Sequence, residues 1–168
     1  MILETERLIL REVHTSDSDF ILDLLNQPSF IKYIADRGVR TVDQAREYIE
    51  SRFVQSYKTN GYGLFLMELK DGGTPIGLCG FVNRETLPHP DVGFALLPQF
   101  EKQGYAYEAA SALLDYGRER LGCKRVLAIT TPDNESSGRL LEKIGLRFER
   151  EIELNGETLK LYSTVPAG

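Results

Sequence analysis

The sequence predicts an α/β chain of the α+β kind: one twisted, mixed but mostly antiparallel sheet of about seven strands, flanked by about four helices. Short strand-like apolar runs recur, bounded by turn signals such as Lys70-Asp-Gly-Gly-Thr-Pro75 and Asn155-Gly156. Between them stand segments with apolar residues at i, i+3 and i+4. One strand–helix–strand unit, Asp91 to Thr131, calls for a right-handed crossover and hence a locally parallel pair.

Leu8 to Val13 reads as the first strand. Thr15 to Gln27 follows as a helix capped by Ser16 or Asp17, with Phe20, Ile21, Leu24 and Leu25 on one face. Pro28 opens a short apolar segment, Phe30 to Ile34. Thr41-Val-Asp-Gln44 is a capping-box pattern starting a helix to about Tyr57, with Val42, Ala45, Ile49 and Phe53 at helical spacing. Tyr62 to Leu69 and Ile76 to Asn83 form a hairpin, and Asp91 to Leu97 is a strand stopped by Pro98. Gly104 to Leu121 has the strongest helical pattern, carried by Ala106, Ala109, Ala110, Leu113, Leu114 and Leu121. Arg118 and Arg120 suit its negative end and Gly122 its stop. Arg125 to Thr131 is a strand, and Asn134 to Ile144 a helix ended by Gly145. Phe148 to Leu154 and Thr158 to Ser163 close the chain as a hairpin.

Composition narrows the function. With 168 residues, 42% hydrophobic and 27% charged, the chain reads as one globular domain over 1–168. A net charge of -5 argues against a broad nucleic-acid surface and allows an amine-bearing partner. Cys79 lies in an apolar run, Cys-x-x-Cys is absent, and His14 and His89 are the only histidines, so no metal site is expected. No apolar run reaches membrane-spanning length and the N-terminus lacks a signal-peptide layout. The expectation is a cytoplasmic monomer or homodimer with no membrane partner.

The segment Pro98-Gln-Phe-Glu-Lys-Gln-Gly-Tyr-Ala-Tyr-Glu-Ala109 places a glycine and small residues where a helix begins. Helix starts offer unpaired N–H groups and the positive end of the dipole, so a large anion can approach. This segment resembles the pyrophosphate motif of the GNAT superfamily of acyl-CoA-dependent N-acetyltransferases, Gln/Arg-x-x-Gly-x-Gly/Ala, here Glu101-x-x-Gly104-x-Ala106. Glu101 departs from the pattern, and Lys102 stands beside it to compensate. A second match, Asn134-x-x-Ser137 followed by Glu142-Lys143-Ile-Gly145-Leu146, resembles the superfamily's later motif, with Leu146 in place of the usual Phe. The opening Glu4-Thr-Glu-Arg-Leu-Ile-Leu-Arg-Glu-Val13, Val92-Gly-Phe-Ala-Leu-Leu-Pro98 and the Gly104-Tyr-Ala-x-Glu-Ala109 run look like the branch related to ribosomal-protein N-terminal acetyltransferases, the RimJ/RimL type.

The resemblance implies acetyl-CoA as cofactor, held by Lys102, Gln103, Gly104, Tyr105 and Ala106 mainly through backbone N–H groups. It implies an amine acceptor, either a protein N-terminus or a small molecule. A non-catalytic acyl-CoA sensor or scaffold is the competing reading. Asn134 either caps its helix or binds the pantetheine arm. Ser137 is either a solvated serine or the proton donor to the leaving thiolate, because Leu141 stands where many relatives carry a tyrosine. Asp91 occupies the place of the branch's frequent glutamate and is the candidate base, against a simple strand-edge charge; Glu85 is a weaker alternative. A backbone N–H on the Asp91–Leu97 strand would polarise the thioester carbonyl. Glu108 is read as a helix-dipole residue. Phe30, Tyr33 and Ile34 fall where the superfamily roofs the acceptor site. Tyr62, Tyr105 and Tyr107 are candidates to line the groove, with packing the alternative.

Overall fold

The computed structural model describes residues 1–164, so the last four positions of the expected domain lie outside the described residues. Eight strands form one sheet in the order β1-β2-β3-β4-β5-β6-β8-β7. They are β1 Leu3–Glu4, β2 Leu8–Arg11, β3 Leu64–Leu69, β4 Pro75–Val82, β5 Asp91–Leu96, β6 Leu127–Thr130, β7 Leu146–Leu154 and β8 Glu157–Thr164. Every pairing is antiparallel except β5 with β6. Strand β1 is an addition to the sequence reading. Two residues carry no periodicity, and β1 exists because Thr5 turns the chain: its N–H donates to the Leu8 carbonyl (2.9 Å) and its hydroxyl accepts from Leu8 N–H (3.1 Å).

The helices are α1 Ser18–Leu25, α2 Pro28–Tyr33, α3 Val42–Tyr48, α4 Gln55–Asn60, α5 Tyr105–Arg120 and α6 Glu135–Lys143. The first expected helix begins as a 3-10 turn, Thr15–Asp17. There Asp17 accepts from His14 N–H (2.8 Å) and is clasped by both Arg11 terminal nitrogens (2.9 Å each). Thr41 caps α3 by accepting from Gln44 N–H (3.1 Å). The reciprocal bond of the capping box lands one residue early, on Arg40 N–H (2.7 Å). Helical backbone continues from α3 into α4 through a π-helical turn, Ile49–Val54, and stops at left-handed Gly61 (φ 77°).

Strand alternation divides the core. Phe65, Cys79 and Phe81 face α5 and α6 together with Leu113, Leu141, Leu146 and Tyr162. Leu66 and Leu78, one residue out of phase, face the N-terminal helices with Ile21, Leu24, Ile49 and Phe53. The expected strand start at Tyr62 moves to Leu64, and the β3–β4 crossing beside it is tight. A Cβ on Gly80 would lie 2.1 Å from the Gly63 carbonyl oxygen and 2.6 Å from Leu64 Cα. Both obstacles are backbone and cannot rotate away. Gly80→Ala should therefore lower the unfolding free energy by about 3 kcal/mol, the upper range for overpacking. In urea titration the midpoint should fall with an unchanged slope.

Candidate active site

Strands β5 and β6 pair only at Asp91↔Leu127, where Leu127 N–H donates to the Pro90 carbonyl (2.9 Å). Beyond that bridge they part. A groove of about 970 Å³ fills the gap and runs from the α2 and π-turn wall to the N-termini of α5 and α6.

The gap exposes backbone. Leu97 N–H donates to the Ile76 carbonyl (2.9 Å), so alternation turns the N–H groups of Ala95 and Gly93 toward β4 as well. Phe94 and Leu96 then present theirs to the groove, and both residues line it. On the facing strand Thr164 N–H donates to the Val126 carbonyl (2.9 Å), which by the same rule leaves Ile129 facing the gap. Such an edge accepts an extended ligand carrying amide groups, as an added strand would. The hydroxyls of Thr130 and Thr131, both in the groove lining, are buried without a hydrogen-bond partner among the described residues.

At one end the chain turns through Lys102 (φ 62°) and Gly104 (φ 84°) into α5. Glycine is favoured at the second position because its left-handed backbone carries no Cβ penalty. Gly104 offers no capping side chain, so the first-turn N–H groups of Tyr105, Ala106 and Tyr107 stay open, at the positive end of a sixteen-residue helix. The residues present fit a pyrophosphate: open amides, a dipole and Lys102, with Lys102, Gly104, Tyr105 and Ala106 all lining the groove. Gln103 departs from the expectation. Its side chain is outside the lining and donates to the Gln99 carbonyl (3.0 Å).

Sequence reasoning missed Arg7, which holds this turn. Its Nη1 donates to the Gln103 carbonyl (3.0 Å) and its guanidinium carbon lies 4.2 Å from the centre of the Tyr105 ring. Fixing that carbonyl points the Gly104 N–H to the opposite side of the same peptide plane, away from Arg7. Glu108 anchors Arg7 in turn. It accepts from Arg7 Nε (2.7 Å), Arg7 N–H (2.8 Å) and the Thr5 hydroxyl (2.5 Å). Burial raises the Glu108 pKa, but these donors outweigh it and hold the carboxyl below its ordinary value. Glu108 thus ties two segments together, beyond the helix-dipole role read from its position. The signal lay in the opening Thr-x-Arg run, to which no single-residue role was attached.

Asp91 sits at the fork, with a side chain 3% exposed. Arg84 Nε approaches its two carboxylate oxygens at 3.1 and 3.3 Å. Burial pushes the carboxyl up to about 6 against the lowering pull of Arg84. It is therefore mostly ionised near neutral pH yet able to take a proton. Glu85 is exposed and outside the lining. Asn134 caps α6 by accepting from Ser137 N–H (3.3 Å), and both residues line the groove. The Ser137 hydroxyl makes no hydrogen bond among the described residues, and Leu141, at 1% exposure, packs in the core while also lining the groove. Phe30, Tyr33 and Ile34 lie on the opposite wall. Tyr62 does not reach the groove; its ring packs edge-on against Phe81 (6.0 Å, 82°), the packing alternative. Among the described residues no cluster of three or more His, Cys, Asp or Glu could hold a metal, and no helix is long and apolar enough to cross a membrane.

The raised Asp91 pKa has a stability consequence. Between about pH 4 and 6 the folded chain binds more protons at Asp91 than the unfolded chain, so stability from this group is present at low pH and lost as pH rises through 6. Asp91→Asn cannot ionise. Its unfolding free energy relative to wild type should climb by about 2 kcal/mol from pH 4 to pH 6.5, read from urea titrations across that window.

Comparison with known proteins agrees with this geometry. A family model described as acetyltransferase (GNAT) domain matches residues 7–147. The "Uncharacterized N-acetyltransferase YoaA" of Bacillus subtilis is 30% identical over 149 residues, covering 88% of this chain and 84% of YoaA. A GNAT-family acetyltransferase from Bordetella pertussis superimposes with a TM-score of 0.83 at 25% identity, over 97% of this chain and 98% of that one. RimL, a ribosomal L7/L12 alpha-N-protein acetyltransferase in complex with coenzyme A, superimposes with a TM-score of 0.84 over 98% and 97% of the two chains. At 18% identity that likeness concerns the fold. With its groove, its helix-start cradle and these relatives, the chain belongs to the GNAT acetyltransferase family and is an acyltransferase that uses acetyl-CoA.

Proposed function

We propose that the protein acetylates a primary amine by direct attack on the acetyl-CoA thioester, within the RimJ/RimL-like branch, with a protein N-terminal α-amine as the leading acceptor. The observation that carries the proposal is convergence. One groove joins the open N-terminus of α5, the unpaired edge of β5 and the buried carboxylate of Asp91. The reading takes the chain as one domain over 1–168, supported by a single sheet that runs from β1 to β8.

When bound, acetyl-CoA supplies an electrophilic carbonyl on a thiolate leaving group. Lys102 and the amides of Gly104, Tyr105 and Ala106 hold its pyrophosphate, with Gln103 contributing backbone. Asn134 faces the pantetheine arm while capping α6. An N–H of Phe94 or Leu96 donates to the thioester oxygen, in a gap that orders it before reaction. The Asp91 carboxylate takes the amine proton, directly or through water, and Arg84 keeps enough of it ionised to do so. The amine nitrogen bonds to the acetyl carbon, the carbon–sulfur bond breaks, and the electron pair leaves with sulfur. Ser137 donates a hydrogen bond or proton to that sulfur. Phe30 and Tyr33 shape the acceptor side. The competing reading, a non-catalytic acyl-CoA scaffold, draws on Glu101 and on Leu141, which lines the groove with no proton to give, and binding without turnover would decide for it.

Gly104→Glu puts bulk and like charge in the cradle and should abolish saturable acetyl-CoA and CoA binding in calorimetry while the far-UV spectrum is kept. Unchanged affinity would refute the cradle. Arg7→Ala frees the Gln103 carbonyl and should weaken CoA binding about tenfold, some 1.4 kcal/mol. For wild type kcat/KM should fall as pH drops through about 6, where Asp91 protonates. Asp91→Asn should lose that limb and slow by about 10² or more. A retained limb removes Asp91 from the mechanism.

A further inference from the structure

We infer that the acceptor amine carries a carboxylate close to its amino group, so that this enzyme favours acidic amines and disfavours polyamines. The inference rests on the acetyltransferase reading above and adds the substrate's charge to it.

The chain as a whole is acidic, at -5. The acceptor end of the groove runs against that average. The wall built by the N-terminal helices contributes Arg37 and Arg52 to the lining and not one carboxylate. Across from it Arg84 stands beside Asp91; the other lining carboxylates among the described residues are Glu101 of the cradle turn and Glu157 of the β7–β8 hairpin.

Arg37 and Arg52 also lack ion-pair and hydrogen-bond partners among the described residues. Other arginines of this chain find them: Arg11 takes Asp17 and Glu68, and Arg46 takes Asp43. Asp36, the carboxylate next to Arg37 in the chain, is claimed by Arg40 through both oxygens (2.9 and 2.7 Å). Arg52 has only the face of Tyr48, 5.8 Å away. Two guanidiniums left free along a groove wall are fork-shaped donors matched to a carboxylate. Asp91, meanwhile, is placed for the amine. A polyamine would bring several positive charges against Arg37, Arg52 and Arg84, and that wall repels it. Like-charge juxtaposition of this kind is how a site rejects the wrong partner.

The same chemistry could arrive as a free amino acid with an acidic side chain or as the acidic N-terminus of a peptide. Two matched panels separate them. The first compares glutamate α-amide, glutamine α-amide and spermidine, so that the side-chain carboxylate is the only one present. The second compares free-amine hexapeptides with Glu, Gln or Lys at positions two and three. Each is scored by CoA thiol release and by calorimetric binding to the CoA-loaded protein. In at least one panel the carboxylate member should exceed its neutral isostere by tenfold or more, with the cationic member last, and the panel that responds names the source. The double variant Arg37→Gln/Arg52→Gln should bring that ratio close to one while leaving CoA affinity unmoved. A preference for the neutral or cationic member overturns the inference. So does an acidic preference that survives in the double variant, or the absence of both binding and turnover for every carboxylate-bearing amine. Retained CoA binding with turnover of a neutral or cationic amine would sink this inference and leave the acetyltransferase reading standing. Loss of CoA binding in the wild type would take down both.

Discussion

The site depends on one interrupted pairing. Strands β5 and β6 meet at Asp91↔Leu127 and nowhere else, although each is paired on its outer side, β5 to β4 and β6 to β8. A sheet that ran on without a break would have closed the groove and satisfied Phe94, Leu96 and Ile129. The fork instead leaves backbone donors and acceptors inside a walled space. Buried amides without partners are costly in an apolar interior, so they persist where a ligand or water serves them. The same fork sets the electrostatics of Asp91. It lies where the walls are closest, which removes water from its carboxylate and raises its pKa despite the adjacent guanidinium.

The second support is the clamp at the opposite end. The N-terminal strand pair is short, yet it is bonded to α5 through Thr5, Arg7 and Glu108. A partly buried charge pair of this kind contributes modestly to stability. Its larger effect is geometric. It fixes one carbonyl at the turn, and a fixed carbonyl fixes the direction of the next amide. Residues about a hundred positions apart in the chain therefore cooperate in one short turn. Preorganisation of that sort lowers the ordering cost when an anion binds.

The sequence made most of the frame legible because the frame is periodic. The α5 pattern, the Asn155-Gly156 turn and the alternation in β3 and β4 are local signals, and each sits where its spacing places it. The helix-start cradle was also legible, through Gly104 and Ala106, and Asp91 could be singled out by its place at a strand start. Arg7 could not, because its role comes from a partner about a hundred residues away. Nor could the exclusion of Tyr62 and the Gln103 side chain from the groove. Both follow from which way a ring or amide turns once the sheet is packed, and Tyr62 turns onto Phe81. Arg37 and Arg52 look like ordinary surface cations in the sequence. Only their shared wall, and the engagement of Asp36 by Arg40, sets them apart.

The alternation of β5 couples chemistry to register in a way that bulk structure would not reveal. Asp91 points its side chain into the groove while Phe94 and Leu96 point their amides there, and both follow from a single phase of the strand. Sliding β5 by one residue against β4 would send the carboxylate to the other face and turn those amides back toward β4. Strand content, helix content and much of the buried area would barely change. The hairpin of β4 and β5 therefore works as an alignment key. A chain that folds with this key misplaced would pass every spectroscopic measure of secondary structure and still have no active site.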